Sequence, residues 1–260
     1  MSDLAGAPVL ITGAARRIGA ALAEGLAAAG HPVAIHYNRS GADAEAVAGR
    51  IGAAGGHAAT VSADLGNEAS VQALMPQAVA RLGRAPKILI NNASVFERDD
   101  ALTASRASWD RHLEVNLRAP FVLSQALAQS LGADQPGLIV NIIDQRIWRL
   151  NPTFTSYTLS KAGLWTLTQT LAQALAPRIR VAAIGPGPVM ASIHQDVDTF
   201  AAEAAHVPLQ RGPDLAEITR TVQFMIATPS LTGQMVALDG GQHLAWQTPD
   251  VMACEGDLDA

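Results

Sequence analysis

The sequence predicts an α/β protein: a single domain built on a doubly wound, seven-stranded parallel sheet with helices on both faces. Three observations predict it. Short β-branched runs alternate with Ala/Leu-rich stretches over almost the whole chain, as stacked strand–helix–strand units require. The first run leads at once into Thr12-Gly13, with Gly19 six residues further on, the pattern of a tight strand-to-helix turn. The 260 residues are 49% hydrophobic and only 16% charged, which is ample material for one large core.

Pro8 to Ile11 reads as a buried strand, followed by the Thr12-Gly13 turn and a helix from Arg17 to Ala29 that Gly30 stops. Pro32 to Tyr37 reads as the second strand. A helix near 42–54, a strand over 58–63, a helix over 68–82 and a strand over 87–91 follow. A long helical region, 108–131, precedes the apolar run Leu138 to Ile143, and a helix over 155–176 comes next. Strands over 180–184 and 234–238 close the series, with a helix near 215–227 between them. Residues 190–207 have weak periodicity, and a mobile lid and an ordinary surface helix fit them equally. No linker or repeat divides the chain, so residues 1–246 form the domain, with a substrate loop at about 186–212 and a polar tail over 247–260.

Composition excludes several classes. A net charge of −5 without a basic stripe argues against a nucleic-acid surface. Cys254 is the sole cysteine and the seven histidines are scattered, so neither a disulfide framework nor a metal site is expected. No apolar run approaches the ~18–20 residues of a membrane span, and residues 1–9 lack the form of a secretory signal. A cytoplasmic protein acting on a small molecule is expected.

The turn Thr12-Gly13-Ala14-Ala15-Arg16-Arg17-Ile18-Gly19 offers backbone N–H groups and a positive helix end to a phosphate. In a dinucleotide site an acidic residue at the end of the second strand holds the ribose hydroxyls. Here that place holds His36-Tyr37-Asn38-Arg39-Ser40, with no carboxylate before Asp43. Arg39 and Ser40 suit a 2′-phosphate, which favours NADPH over NADH; a solvated basic loop is the plainer alternative. Further on, Tyr157 and Lys161 stand four apart, on one helix face. An ammonium there would favour the phenolate and ready the tyrosine for acid–base work.

With these residues the chain resembles the short-chain dehydrogenases/reductases, which carry a Rossmann-type fold. The Thr-Gly turn, Asp64-Leu65, Asn91-Asn92-Ala93, Asn116, the Tyr157/Lys161 pair, Pro186-Gly187 and Asp239-Gly240-Gly241 fall in that family's order. The resemblance implies cofactor contacts from Gly13, Arg16, Arg17, Ile18, Gly19, Asp64, Leu65, Asn91, Ala93, Ser94, Pro186, Gly187 and Val189. Lys161 would hold the nicotinamide ribose and Asn116 would support a water-linked proton relay. Taken singly, Asn91 and Asn116 are equally read as buried polar groups that satisfy backbone.

Two departures narrow the resemblance. The family's usual third glycine is Arg17 here, and a serine thirteen residues before Tyr157 is Asp144. Both are shared with the pteridine reductases, including dihydromonapterin reductases, as are His36 to Ser40, Asn91 to Phe96 and Val207-Pro208-Leu209. By position, Phe96 would stack on a flat pterin against the nicotinamide, Arg17 and Ser94 would reach pterin and phosphates, and Asp144 and Tyr157 would handle protons. The chemistry agrees. A carboxylate opposes the negative charge that builds on a carbonyl oxygen, whereas a C=N bond needs a proton on nitrogen. Asp144 alone also fits a helix cap. The alternatives are a ketone or quinone reductase and a catalytically idle NADPH-binding sensor. The resemblance implies a homotetramer built on the long helices.

Overall fold

The computed structural model describes residues 3–190 and 197–245. Among them the seven expected strands form one parallel sheet: β1 (Val9–Ile11), β2 (Val33–Tyr37), β3 (Ala58–Ser62), β4 (Ile88–Asn91), β5 (Gly137–Ile142), β6 (Ile179–Pro186) and β7 (Met235–Leu238), in the order β3-β2-β1-β4-β5-β6-β7. Val9, Leu10, Ile11 and all of β4 and β5 are buried. Strands covered on both faces read as continuous apolar runs, which is why they were legible without alternation.

Helices cover both faces. On one lie α1 (Arg17–Ala28), α2 (Gly41–Ala53) and the last helix, Leu215–Ala227, packing Leu22, Val47 and Val222 against Val9, Ile35 and Ile184. On the other, α3 (Glu68–Leu82) and the helices that follow β4 and β5 bring Leu74, Leu123 and Leu171 onto Leu10, Leu89 and Ile139. Strand order reverses between β1 and β4, and in such sheets ligands bind at that point, beyond the carboxyl ends of the strands.

The expected long helix over 108–131 is three pieces. α4 (Arg106–Leu113) widens into a π-helical turn, Glu114–Arg118, before α5 (Ala119–Ser130) resumes. Pro120 has no N–H to return to the preceding turn, and the widened turn precedes it. Beyond β5, α6 (Thr155–Ala174) carries Tyr157 and Lys161. In the weakly periodic segment, α7 (Val197–Ala205) is helical, residues 191–196 lie outside the described residues, and so does the tail expected over 247–260. The Gly/Pro-rich stretch after residue 184 continues β6 as far as Pro186. α8 (Leu215–Ala227) starts at a reciprocal cap between Asp214 and Glu217.

Candidate active site

The strand-to-helix turn is shaped by its glycines. Gly13 has φ +63°, and a Cβ there would lie 2.9 Å from the Ala93 Cα; at Gly19 it would collide with the Gly13 carbonyl. Asn92 locks this turn to β4, its Nδ2 donating to the Thr12 and Gly13 carbonyls at 2.9 and 3.1 Å. Arg17 has a left-handed backbone, φ +52°, at a cost of about 1–2 kcal/mol for a side-chain-bearing residue. Its guanidinium donates to the Met190 carbonyl at 3.1 Å. Arg16 pairs instead with Asp43 at 2.6 Å, tying up the first carboxylate beyond β2.

Three residues expected at the cofactor turn their side chains into the fold. His36 is buried, its Nδ1 accepting from the Gly13 N–H at 3.0 Å and its Nε2 lying 3.1 Å from the Ala63 carbonyl. Burial lowers its pKa to about 4, against a smaller upward pull from that carbonyl, so the ring stays neutral. Leu65 packs in the core beside Val71 and Leu74. Asn91 donates to Asn141 Oδ1 at 2.8 Å, and Asn141 to Thr168 Oγ1 at 2.9 Å, a buried link from β4 through β5 to α6. Asn38, Arg39 and Asp64 are exposed beyond β2 and β3, with Tyr37 and Ser40 half-buried beside them.

On α6, the Tyr157 hydroxyl donates to Asp144 Oδ2 at 2.8 Å. The other oxygen, Oδ1, accepts the Arg146 N–H at 2.8 Å and caps a short 3-10 turn, Gln145–Ile147. Asp144 therefore does both jobs that its sequence position allowed: it caps a turn and it meets the tyrosine. Lys161 Nζ donates to the Ile142 carbonyl at 2.8 Å and lies 5.7 Å from the centre of the Tyr157 ring.

The expectation of a tyrosine readied as phenolate by Lys161 is corrected here. Burial, then the charge of Asp144 and its hydrogen bond, push the Tyr157 pKa well above the usual value, with Arg146 pulling weakly the other way. Tyr157 is a phenol, poised to give a proton. Burial lowers Lys161 to about 8, with Asp144 opposing the shift.

The loop between β4 and α4 is gripped from below. Asn116, fully buried in the π-turn, accepts from the Val95 N–H at 2.8 Å and donates to the Val95 carbonyl at 2.9 Å. Its Oδ1 also lies 3.3 Å from Ser94 Oγ, and its Nδ2 donates to Ser160 Oγ at 3.0 Å. The Asn116 amide thus holds loop backbone, the plainer of its two sequence readings. His112 Nε2 accepts the Glu97 N–H at 3.1 Å, while its Nδ1 meets Ser156 Oγ at 2.7 Å. Ser156 Oγ also meets Asp99 in a short contact, so Asp99, Ser156 and His112 form one buried chain under Tyr157. Burial works to raise the Asp99 carboxyl, but hydrogen bonds from Ser156 and Ser108 outweigh it and hold the group below its ordinary range.

These elements surround a cleft of about 700 Å³, within the range that holds a drug-sized ligand. Of the expected residues, Arg17, Ile18, Ser94, Phe96, Asp144, Tyr157, Lys161, Pro186, Gly187 and Val189 line it. Phe96 stands edge-on to Tyr157 at 4.7 Å, but one parallel partner comes from the chain itself: Phe154 stacks on it at 4.2 Å. Phe200, from the expected substrate loop, also lines the cleft, as do Phe154, Arg98 and Gln242, which sequence reasoning missed. Phe154 has φ +62°, a backbone state that no local residue pattern announces. Gln145 and Arg146 belong to the lining; Trp148 packs outside it, edge-on to His243 at 5.2 Å.

A buried Tyr–Lys pair at the strand ends of a doubly wound sheet defines a dehydrogenase-type site, and residues 7–201 match the family described as short chain dehydrogenase. The chain belongs to that family and is an oxidoreductase. Two solved structures are similar over nearly its whole length, FolM alternative dihydrofolate reductase 1 from Brucella canis complexed with NADP and the same protein from Brucella suis in complex with NADP. Each is 53% identical with a TM-score of 0.92, covering 95% of this chain and 98% and 99% of theirs. The 3-oxoacyl-[acyl-carrier-protein] reductase of Synechocystis sp. is 31% identical over 245 residues, 93% of this chain and 98% of the relative. The FolM likeness supports the pteridine-reductase-like branch that Arg17 and Asp144 pointed to.

Proposed function

We propose that the protein reduces a C=N bond of a pteridine, of the dihydrobiopterin, dihydromonapterin or dihydrofolate type, with hydride from NADPH. The observation that carries the reading is the 2.8 Å hydrogen bond from the Tyr157 hydroxyl to Asp144 in a cleft walled by Phe96. The two FolM relatives are NADP complexes, and the turn here suits such a cofactor: Gly13 and Gly19 let it fold closely against Ala93 and Asn92, leaving the N–H groups at the start of α1 for a phosphate. Arg39 and Ser40 would take the 2′-phosphate, and Lys161 the nicotinamide ribose.

When bound, NADPH would supply the hydride that the ring carbon takes. As the C=N electron pair moves onto nitrogen, that nitrogen takes a proton from the Tyr157–Asp144 pair, which solvent restores. Tyr157, held as a phenol, is in the protonation state this step needs. Asp144 orients the hydroxyl and offsets positive charge on a protonating ring nitrogen, where it would oppose a ketone's developing oxyanion.

The likeness to 3-oxoacyl reductases favours a second reading, reduction of a carbonyl. NADPH oxidation with dihydrobiopterin and dihydrofolate, beside simple ketones and quinones, separates them. Pterin turnover should fall by about 10²–10⁴-fold in Asp144→Ser and in Tyr157→Phe. Carbonyl turnover indifferent to Asp144 would move the assignment to the second reading, and NADPH binding without turnover on any substrate would leave a sensor. Among the described residues no helix is long and apolar enough to cross a membrane. We also propose a homotetramer, supported by the apolar hollow between Leu117, Phe121 and Leu167 on the outer face of the long helices.

A further inference from the structure

Two residues of the cleft wall, Gln145 and Arg146, carry buried polar atoms that no hydrogen bond among the described residues satisfies. Nε and Nη1 of Arg146 are buried and have no hydrogen-bond partner among the described residues, and neither has Oε1 of Gln145 beside it. The guanidinium sits 5.1 Å from the centre of the Phe154 ring and 5.8 Å from that of Phe96, so it borders the aromatic stack. Its backbone is fixed by the same carboxylate that receives the Tyr157 hydroxyl, since Asp144 Oδ1 caps Arg146 and Oδ2 faces Tyr157. Buried donors on a charged group, left unmet, carry the full desolvation penalty of that group. Such a cost at the wall of a ligand cleft is offset when the ligand brings the missing acceptor.

We propose that Arg146 is a specificity-determining residue that donates hydrogen bonds to a ring carbonyl of the bound substrate, with Gln145 Oε1 taking a neighbouring N–H. A flat heterocycle laid along the Phe96 wall with its C=N bond at Tyr157 turns another edge toward Arg146. An edge carrying an oxo group next to a ring N–H, as a 2-amino-4-oxo pterin does, matches donors and an acceptor on neighbouring residues. A guanidinium rejects the same ring when the oxo group is exchanged for an amino group, because donor then meets donor and a protonated ring meets a cation. The inference deepens the pteridine reading and rests on it.

The test compares dihydrobiopterin, which carries the oxo group, with its 2,4-diamino counterpart, as dissociation constants from the NADP+-loaded protein, which cannot deliver hydride, for wild type and Arg146→Met. Wild type should prefer the oxo form by at least about tenfold. Arg146→Met should weaken the oxo form by about tenfold to a hundredfold, leave the diamino form within about twofold, and leave NADPH affinity unchanged. Equal weakening of both forms, or loss of NADPH affinity as well, would make Arg146 a packing residue and overturn the assignment. Should Arg146→Met fail to fold, Arg146→Lys carries the same comparison: it keeps the charge but not the planar fork, and should lose about tenfold on the oxo form alone. Wild type that binds both pteridines while Arg146→Met changes neither sinks this inference only. Wild type that binds neither sinks the pteridine reading and this inference with it.

Discussion

The chemistry at residue scale is set by burial working on two groups in opposite senses. Tyr157 and Lys161 lie on one face of α6, as their spacing required, yet the contact that matters for the tyrosine is with Asp144. Desolvation disfavours the charged form of each, raising the phenol and lowering the ammonium. At pH 7 this leaves a protonated Tyr157 and a charged Lys161. Above about pH 8 Lys161 discharges, while Tyr157 still holds its proton. The value of kcat/KM reports groups of the free enzyme. It should therefore fall about tenfold per pH unit above pH 8, because an uncharged amine cannot serve the ribose and the site's charge balance. In Lys161→Arg, whose cation does not discharge, the alkaline limb should vanish even though the plateau is lower. A wild-type profile level to pH 9.5 would show that the ammonium is not needed.

At the scale of elements, the catalytic helix is held by residues far from it in sequence. α6 begins after Phe154, which has no side chain able to cap it. Asp99 supplies the cap from the loop between β4 and α4, its Oδ1 accepting the Ser156 N–H at 3.1 Å while its backbone carbonyl takes the Phe154 N–H at 2.6 Å. The carboxylate also places negative charge at the positive end of a 20-residue helix. Asp99→Ala should cost about 1–3 kcal/mol of stability, read as a shift of the urea midpoint. It should also raise KM for substrate more than for NADPH, because Phe96 and Tyr157 stand on the two segments that Asp99 joins. An unchanged KM ratio would confine Asp99 to stability. The Tyr157/Lys161 face was legible in the sequence because helical spacing is local. The Asp99 cap was not, because Ser156 lies 57 residues away and an aspartate in a loop has no period. The π-turn was hidden for a related reason: an apolar stripe continues across it, and only Pro120 hints that the ladder is interrupted.

For the molecule as a whole, the sheet was legible because the strands announce themselves as apolar runs, from Val9-Leu10-Ile11 to Met235-Val236-Ala237-Leu238, and right-handed crossovers leave few orders for seven of them. The direction in which a polar side chain leaves its strand was not legible in such runs. His36 is the clear case: its place at the end of β2 pointed to the cofactor, and its ring instead bridges the Gly13 turn and the end of β3. That bridge couples acid titration to the fold. The folded-state pKa of about 4 lies below the ordinary 6.5, so the unfolded chain binds the proton first. The stabilisation is complete above about pH 6.5 and is lost as pH falls toward 4. By pH 5 it should have dropped by about 2 kcal/mol relative to pH 7.5. Protonated Nδ1 can no longer accept from Gly13, so the loss falls on the phosphate turn as well as on the sheet edge. Urea unfolding at pH 7.5 and pH 5.0 should show this decrement in the wild type and not in His36→Gln, which starts less stable but carries no titrating ring. Equal decrements in the two proteins would assign the acid sensitivity to carboxylates elsewhere and leave His36 a silent part of the core.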